Sequence, residues 1–277
     1  MTLSGRNSVL KAGIALSSAF LVAGLTASFF AIPALARMDA GEMARAQGWF
    51  QTLTAWRVGP SLLAAHFTAL APALYSLLAL AFVYSFFEKT QSPEILFVAF
   101  FAASLAPEVL RLAIPLGEVR DIPSLYLAAS SRAIIFSRYF GIFSMFAASV
   151  HAAGYKSQQN RGAILMIAAV ALFIALGVPV DTHARDTSLA VLSGYASMFR
   201  LVEIGVFLMT AVSFLVAART RGSRRFLVIA MGATLAMAGR DALIRGDTWI
   251  ALAVGLPMLC AGTWLVCKRL HGIYLWL

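Results

Sequence analysis

Eight apolar blocks, each near the length of a membrane-crossing helix and parted by short polar connections, dominate this sequence of 277 residues. A bilayer core of about 30 Å takes roughly 20 apolar residues as α-helix. On that criterion spans fall near 11 to 33, 58 to 86, 95 to 116, 123 to 150, 162 to 180, 188 to 217, 226 to 243 and 248 to 267. Lipid offers the backbone no hydrogen-bond partner, so each block must satisfy its own N–H and C=O groups. Blocks this long do so as helices, whereas an outer-membrane barrel would show short alternating strands. The expected fold is all-α, a polytopic transmembrane helical bundle forming one domain over residues 1 to 277. Charged residues make up 12% of the chain, against about 25% in a soluble domain, too few to cover a water-facing surface.

A formal net charge of +10 would raise the question of nucleic acid in a soluble protein. Here the basic residues sit mainly in the connections, where the positive-inside bias and anionic headgroups account for them. No nucleic-acid partner is expected, and the lipid bilayer is the first partner. With the N-terminus inside, eleven Lys and Arg fall on the cytoplasmic side, among them Arg6, Lys156 and the cluster Arg219, Arg221, Arg224 and Arg225. Seven, including Arg185, Arg240 and Arg245, fall on the other side. Both termini are therefore expected in the cytoplasm of a cell with a bacterial-type inner membrane. Arg6 and Lys11 ahead of an apolar run, with Ala34-Leu35-Ala36 after Pro33, also fit a signal peptide whose removal would leave seven spans. The run from Ala12 to Ile32 exceeds the roughly 7 to 15 residues of a signal core, which favours an uncleaved first helix. The connection from Arg37 to Arg57 carries Trp49, Phe50 and Trp56 among charges and reads as a surface-lying anchor helix or a lid.

The informative residues are ionisable groups inside apolar blocks: Glu108 and Arg111 in the third span, Arg132 and Arg138 in the fourth, Arg200 and Glu203 in the sixth. A charge at the bilayer centre costs about 2.5 to 3.5 kcal/mol even on the gentlest scale, so these six should face the bundle interior or a wet cavity and pair with one another. Glu108 with Arg111, and Arg200 with Glu203, are three apart and share a helical face. Depth counted along the helices also matches Glu108 with Arg132 across neighbouring antiparallel spans, and puts Arg200 and Glu203 about 18 to 23 Å inside the sixth. Four arginines against two glutamates leave two positive charges over. An acid reaching in from a span end, such as Glu94 toward Arg138, or a bound small anion or anionic lipid headgroup would complete the set, since arginine's planar fork suits carboxylate and phosphate. The competing expectation is that these pairs only fix helix register.

Other residues carry less. His66 stands alone in the second span and His151, His183 and His271 lie at ends or in connections, so no histidine pair suits a membrane haem. Cys260 and Cys267 read as packing residues, short of a metal set. No cofactor and no metal is expected. Pro107, directly before Glu108, should kink the third span and free a backbone carbonyl near the charged layer. No nucleophile elbow, Walker loop or zincin motif occurs, which argues against an enzyme. Two functions remain: a membrane sensor or accessory subunit that works through a membrane protein partner, and a small-molecule or ion transporter using the same charged layer. The lack of an internal repeat favours the former.

Overall fold

The computed structural model describes residues 3–45, 60–87, 92–112, 123–154, 160–185 and 187–274. Its elements are α1 (Leu3–Arg45), α2 (Leu62–Phe87), α3 (Pro93–Ala103), a 3-10 helix η1 (Ala106–Leu112), α4 (Ser124–Ala152), α5 (Asn160–Gly177), β1 (Val180–Arg185), β2 (Val191–Ser193), α6 (Ala196–Thr220), α7 (Arg224–Ile244) and α8 (Trp249–Tyr274). Among the described residues seven helices are long and apolar enough to cross a membrane, α3 and η1 counting together, and Arg161–Gly177 is an apolar helix shorter than these. The surface anchor expected at 37 to 57 lies outside the described residues from 46 on, and the backbone up to Arg45 continues α1.

The helices form a ring: α1 packs on α2, α2 on α8, α8 on α7, α7 on α6, α6 on α4 and α4 on α3, while η1 touches α1, α2 and α4. The α3–η1 span is the centre, with 78% of its most apolar stretch buried against 17% for α6 and 22% for α1. Helix α5 rests on α4. The tightest pair is α7 with α8, where backbones touch. A Cβ on Gly262 would sit 2.4 Å from Ala236 N, and one on Gly239 would sit 2.5 Å from Leu259 N. Glycine is what allows this approach, the usual route to close helix packing where lipid supplies no hydrophobic drive.

One expectation is extended and another corrected. The third span is not one continuous helix. Pro107 has no N–H for the carbonyl of Ala103 and its ring crowds that carbonyl; α3 ends there at Ala103, and the chain turns through Ser104 and Leu105 into η1. The sixth span does not start at 188. Strands β1 and β2 form a two-stranded antiparallel ribbon pairing Val180 with Ser193 and Asp181 with Leu192, and Tyr195, at φ 58°, turns the chain into α6. Among the described residues there is no larger sheet.

The ribbon defines one end of the bundle. Its tip residue Leu189 is buried beside Val109, Leu112, Ala65 and Ala69, and Thr187 donates to Asp247 in the α7–α8 turn at 2.6 Å. At the other end arginines meet the closing carbonyls of helices: Arg6 donates to Phe87 O at the end of α2, Arg221 to His151 O at the end of α4 at 3.4 Å, and Arg225 to Gly272 O in α8 at 3.0 Å. The last carbonyls of a helix carry partial negative charge, which these cations meet. The starts of α1 and α7 and the ends of α2, α4 and α8 therefore share the end opposite the ribbon.

Because the α7–α8 contact runs through backbone, Gly262→Ala or Gly239→Ala is expected to force the helices apart and cost about 1–3 kcal/mol. Gly205→Ala, where the added carbon meets nothing within 4 Å, is expected to be neutral or to stabilise α6 by about 0.5–1 kcal/mol. Thermal unfolding of the detergent-solubilised protein reads both, and equal effects at the two kinds of site would contradict the packing described.

Candidate functional site

The site is assembled where η1 meets α4, α7 and the ribbon tip. Glu108 and Arg111 have no exposed side-chain surface, and Arg111 Nε lies 3.2 Å from Glu108 Oε2. Glu108 also takes both prongs of Arg138 from α4, with Nε donating to Oε1 at 2.6 Å and Nη2 donating to Oε2 at 2.9 Å. This parallel two-bond fork is the strongest form of the arginine–carboxylate pair.

Arg111 spends its remaining donors on carbonyls that secondary structure leaves over. Nη1 donates to Ile244 O at 2.8 Å and Ser188 O at 3.1 Å, and Nη2 to Thr68 O at 3.1 Å and Leu243 O at 3.4 Å. Each acceptor has a reason to be free. Leu243 and Ile244 close α7, where carbonyls lack helical partners. Thr68 lies four residues before Pro72 inside α2, and proline has no N–H to return. Ser188 sits at the ribbon tip beside Leu189, whose φ of 61° is unusual for a leucine. Arg111 is thus a clamp joining η1, α2, α7 and the ribbon, and it is taken up by protein groups.

The other charges meet around a cavity of about 180 Å³ between α4, α6 and α7, whose walls include Arg138, Tyr139, Arg200, Glu203, Arg240 and Arg245. Arg245 pairs with Glu203, and its Nε donates to Asp241 Oδ1 at 2.8 Å. Arg240 is 4% exposed. Its Nη2 donates to the Arg138 carbonyl at 2.9 Å, while its Nε has no hydrogen-bond partner among the described residues. Arg200, one turn into α6, is exposed. Among the described residues neither Arg200 nor Arg240 forms an ion pair. Helix α6 starts without a side-chain cap, and Ala196 at that start also lines the cavity, adding the partial positive charge of a helix N-terminus. Five arginines (111, 138, 200, 240, 245) stand against three carboxylates (108, 203, 241), so two positive charges remain in excess.

The sequence-derived residues are therefore partly brought together. Glu108, Arg111 and Arg138 form one cluster, and Arg200 and Glu203 line the cavity beside it. The expected pairing of Glu108 with Arg132 is replaced by Arg138, and Arg132 lies exposed on α4. Glu203 pairs with Arg245 rather than with Arg200. Because α6 begins at Ala196, Arg200 and Glu203 lie only about 6 and 10 Å from its start, near the ribbon end and not at mid-depth. Arg138 turns to Glu108 rather than Glu94, which is buried at the start of α3 and accepts from Ser92 Oγ at 2.8 Å. Arg240, Asp241 and Arg245 were missed as site residues because they close an apolar block and read as boundary charges. The signal was present in the four charges within the eight residues from 240 to 247.

His66 conforms to the packed reading. It is buried, with Nε2 2.7 Å from Ser28 Oγ. Ser28 gives its hydrogen to Gly24 O at 2.7 Å, so His66 is the donor in that contact. Among the described residues no group of three His, Cys, Asp or Glu side chains is placed to hold a metal ion.

The chain matches no protein-family model, and comparison with curated proteins gives no significant match. The functional reading rests on the geometry above.

Glu108→Gln is expected to cost about 3–5 kcal/mol, since it strands the buried Arg111 and the half-buried Arg138. Arg132→Gln, at an exposed position with no ion pair among the described residues, is expected to leave stability unchanged within about 0.5 kcal/mol. Comparing chemical unfolding of the two variants tests the pairing, and a larger loss from Arg132→Gln would overturn it.

Proposed function

We propose that this chain is a multi-pass inner-membrane protein that binds an anionic ligand at the ribbon end of its bundle and acts as a sensor or accessory subunit through a membrane protein partner. The observation that carries the reading is Arg240, a buried guanidinium with an unpartnered Nε, in a cavity whose lining is positive by two charges. A desolvated cation with no carboxylate in ion-pair contact is costly, and a phosphate, sulfate or carboxylate between Arg240 and Arg200 would relieve it.

Eight crossings and a shared side for the two termini are part of this proposal. The end of α4 meets Arg221 at the end opposite the ribbon, while Ser188 in the ribbon meets Arg111 at the other. Helix α5 connects the two, and its 18 residues rise about 27 Å, close to one hydrocarbon thickness. The arginine-rich end, with Arg6, Arg221 and Arg225, is assigned to the cytoplasm by the positive-inside bias. The cavity then faces the periplasmic side.

The transporter alternative draws support from the break between α3 and η1, since discontinuous helices often build transport sites. Against it, the segment after the break is bound to α2, α4, α7 and the ribbon through Glu108 and Arg111, which holds it in one arrangement.

Isothermal titration of the full chain in a neutral maltoside micelle with inorganic phosphate, sulfate and acetate tests the proposal. At least one is expected to bind, and Arg200→Gln and Arg240→Gln are each expected to weaken it about tenfold or more, as charge-assisted hydrogen bonds are worth roughly 1.5–3 kcal/mol. Arg200 is exposed, so its loss should leave the fold intact. Unchanged affinity in both variants would reject the site, and anion flux into proteoliposomes would favour the transporter.

A further inference from the structure

The charged cavity does not end at its arginines. A second space of about 330 Å³ continues from the same ring of Arg200, Glu203, Arg240, Asp241 and Arg245, and beyond that ring its walls are Ile142, Ile204, Phe207, Leu208 and Met237. These walls lie on the side of the ring away from the ribbon. Ile142 follows Arg138 by one turn of α4, Met237 precedes Arg240 by about one turn of α7, and Leu208 follows Glu203 by more than one turn of α6. Ile204 and Leu208 are 46% and 56% exposed, so the crevice opens sideways over α6, a helix whose outward face is apolar.

Resting on the anion-binding reading above, we infer that the occupant is an anionic amphiphile, with a phosphate or carboxylate head on Arg240 and Arg200 and the first methylenes of its chain in the crevice. A small inorganic anion would satisfy the arginines and leave the apolar wall bare. A neutral lipid would cover the wall and leave Arg240 unmatched. A molecule with both parts in series satisfies both. The order of the parts is also that of a lipid in its leaflet, with the head toward the end of the bundle and the chain toward its middle.

The chain's effect depends on where the amphiphile comes from. Taken from water, each buried methylene is worth about fourfold in affinity. Taken from the bilayer, the chain gains little, because lipid tails are as apolar as the crevice, and there it serves to orient the head.

The test uses the full chain in maltoside micelles, titrated with inorganic phosphate and with dodecyl phosphate, and in nanodiscs of phosphatidylcholine with and without phosphatidylglycerol, followed by native mass spectrometry. Dodecyl phosphate is expected to bind at least about tenfold more tightly than phosphate. Ile204→Trp, which fills the crevice from an exposed position, is expected to abolish that preference and keep phosphate binding, whereas Arg200→Gln weakens both. Retention of phosphatidylglycerol identifies a bilayer lipid as the source; retention of dodecyl phosphate alone identifies a single-chain amphiphile from solution. Equal affinity for the two phosphates with no effect of Ile204→Trp would overturn the amphiphile and leave the anion site standing. Binding of neither in either medium would overturn both.

Discussion

In hydrocarbon a backbone carbonyl without a donor is as serious a problem as a stray charge, and in this bundle one guanidinium answers several such problems together. Arg111 collects the carbonyl that Pro72 leaves free in α2, the two that close α7 and the one at the ribbon tip. It can do so only because Glu108 balances its charge at 3.2 Å. A buried arginine and a set of orphan carbonyls would each be costly alone. Together they make a junction of four elements that accounts for η1 standing at the centre of the ring.

That junction explains why the chain breaks where it does. Pro107 ends α3, and the 3-10 geometry that follows advances about 2 Å per residue, bringing Glu108 and Arg111 to one face at the level of Arg138 and the end of α7. The ribbon completes the enclosure. Leu189 holds a left-handed backbone that costs a β-carbon-bearing residue about 1–2 kcal/mol, and this is offset by burial of its side chain against Val109 and Leu112 and by the Ser188 carbonyl offered to Arg111. Elements that look like separate irregularities in sequence, a proline in each of two spans and a ribbon between two others, are parts of one arrangement.

How much of this the sequence carried can be argued residue by residue. The apolar blocks and the conspicuous charges at 108, 111 and 138 were legible, because hydropathy and intramembrane charge are local properties. The kink at Pro107 was legible for the same reason. The start of α6 was not: residues 188 to 195 are as apolar as a helix, and only their packing as a ribbon tip and turn tells otherwise. Partner choice was also hidden. Arg132 and Arg138 stand about 120° apart around α4, so the rotation that turns Arg138 toward Glu108 turns Arg132 away, and depth alone could not decide between them. Arg240 escaped because it lies within one turn of its block's end, where a charge reads as solvated, and only packing against α4 buries it.

The charge count then follows from geometry. Glu108 is claimed twice, by Arg111 and Arg138, and the carboxylates of Glu203 and Asp241 are both drawn to Arg245. Among the described residues no acid is left to pair with Arg240 or Arg200. The excess is concentrated on the cavity wall because the acids are committed elsewhere by shorter contacts, and its place near the start of α6 lowers the cost of holding it there compared with the bilayer centre. A positive surplus near the end of a lipid-facing bundle, next to an apolar crevice open over α6, is the arrangement an anionic head with a chain behind it can complete.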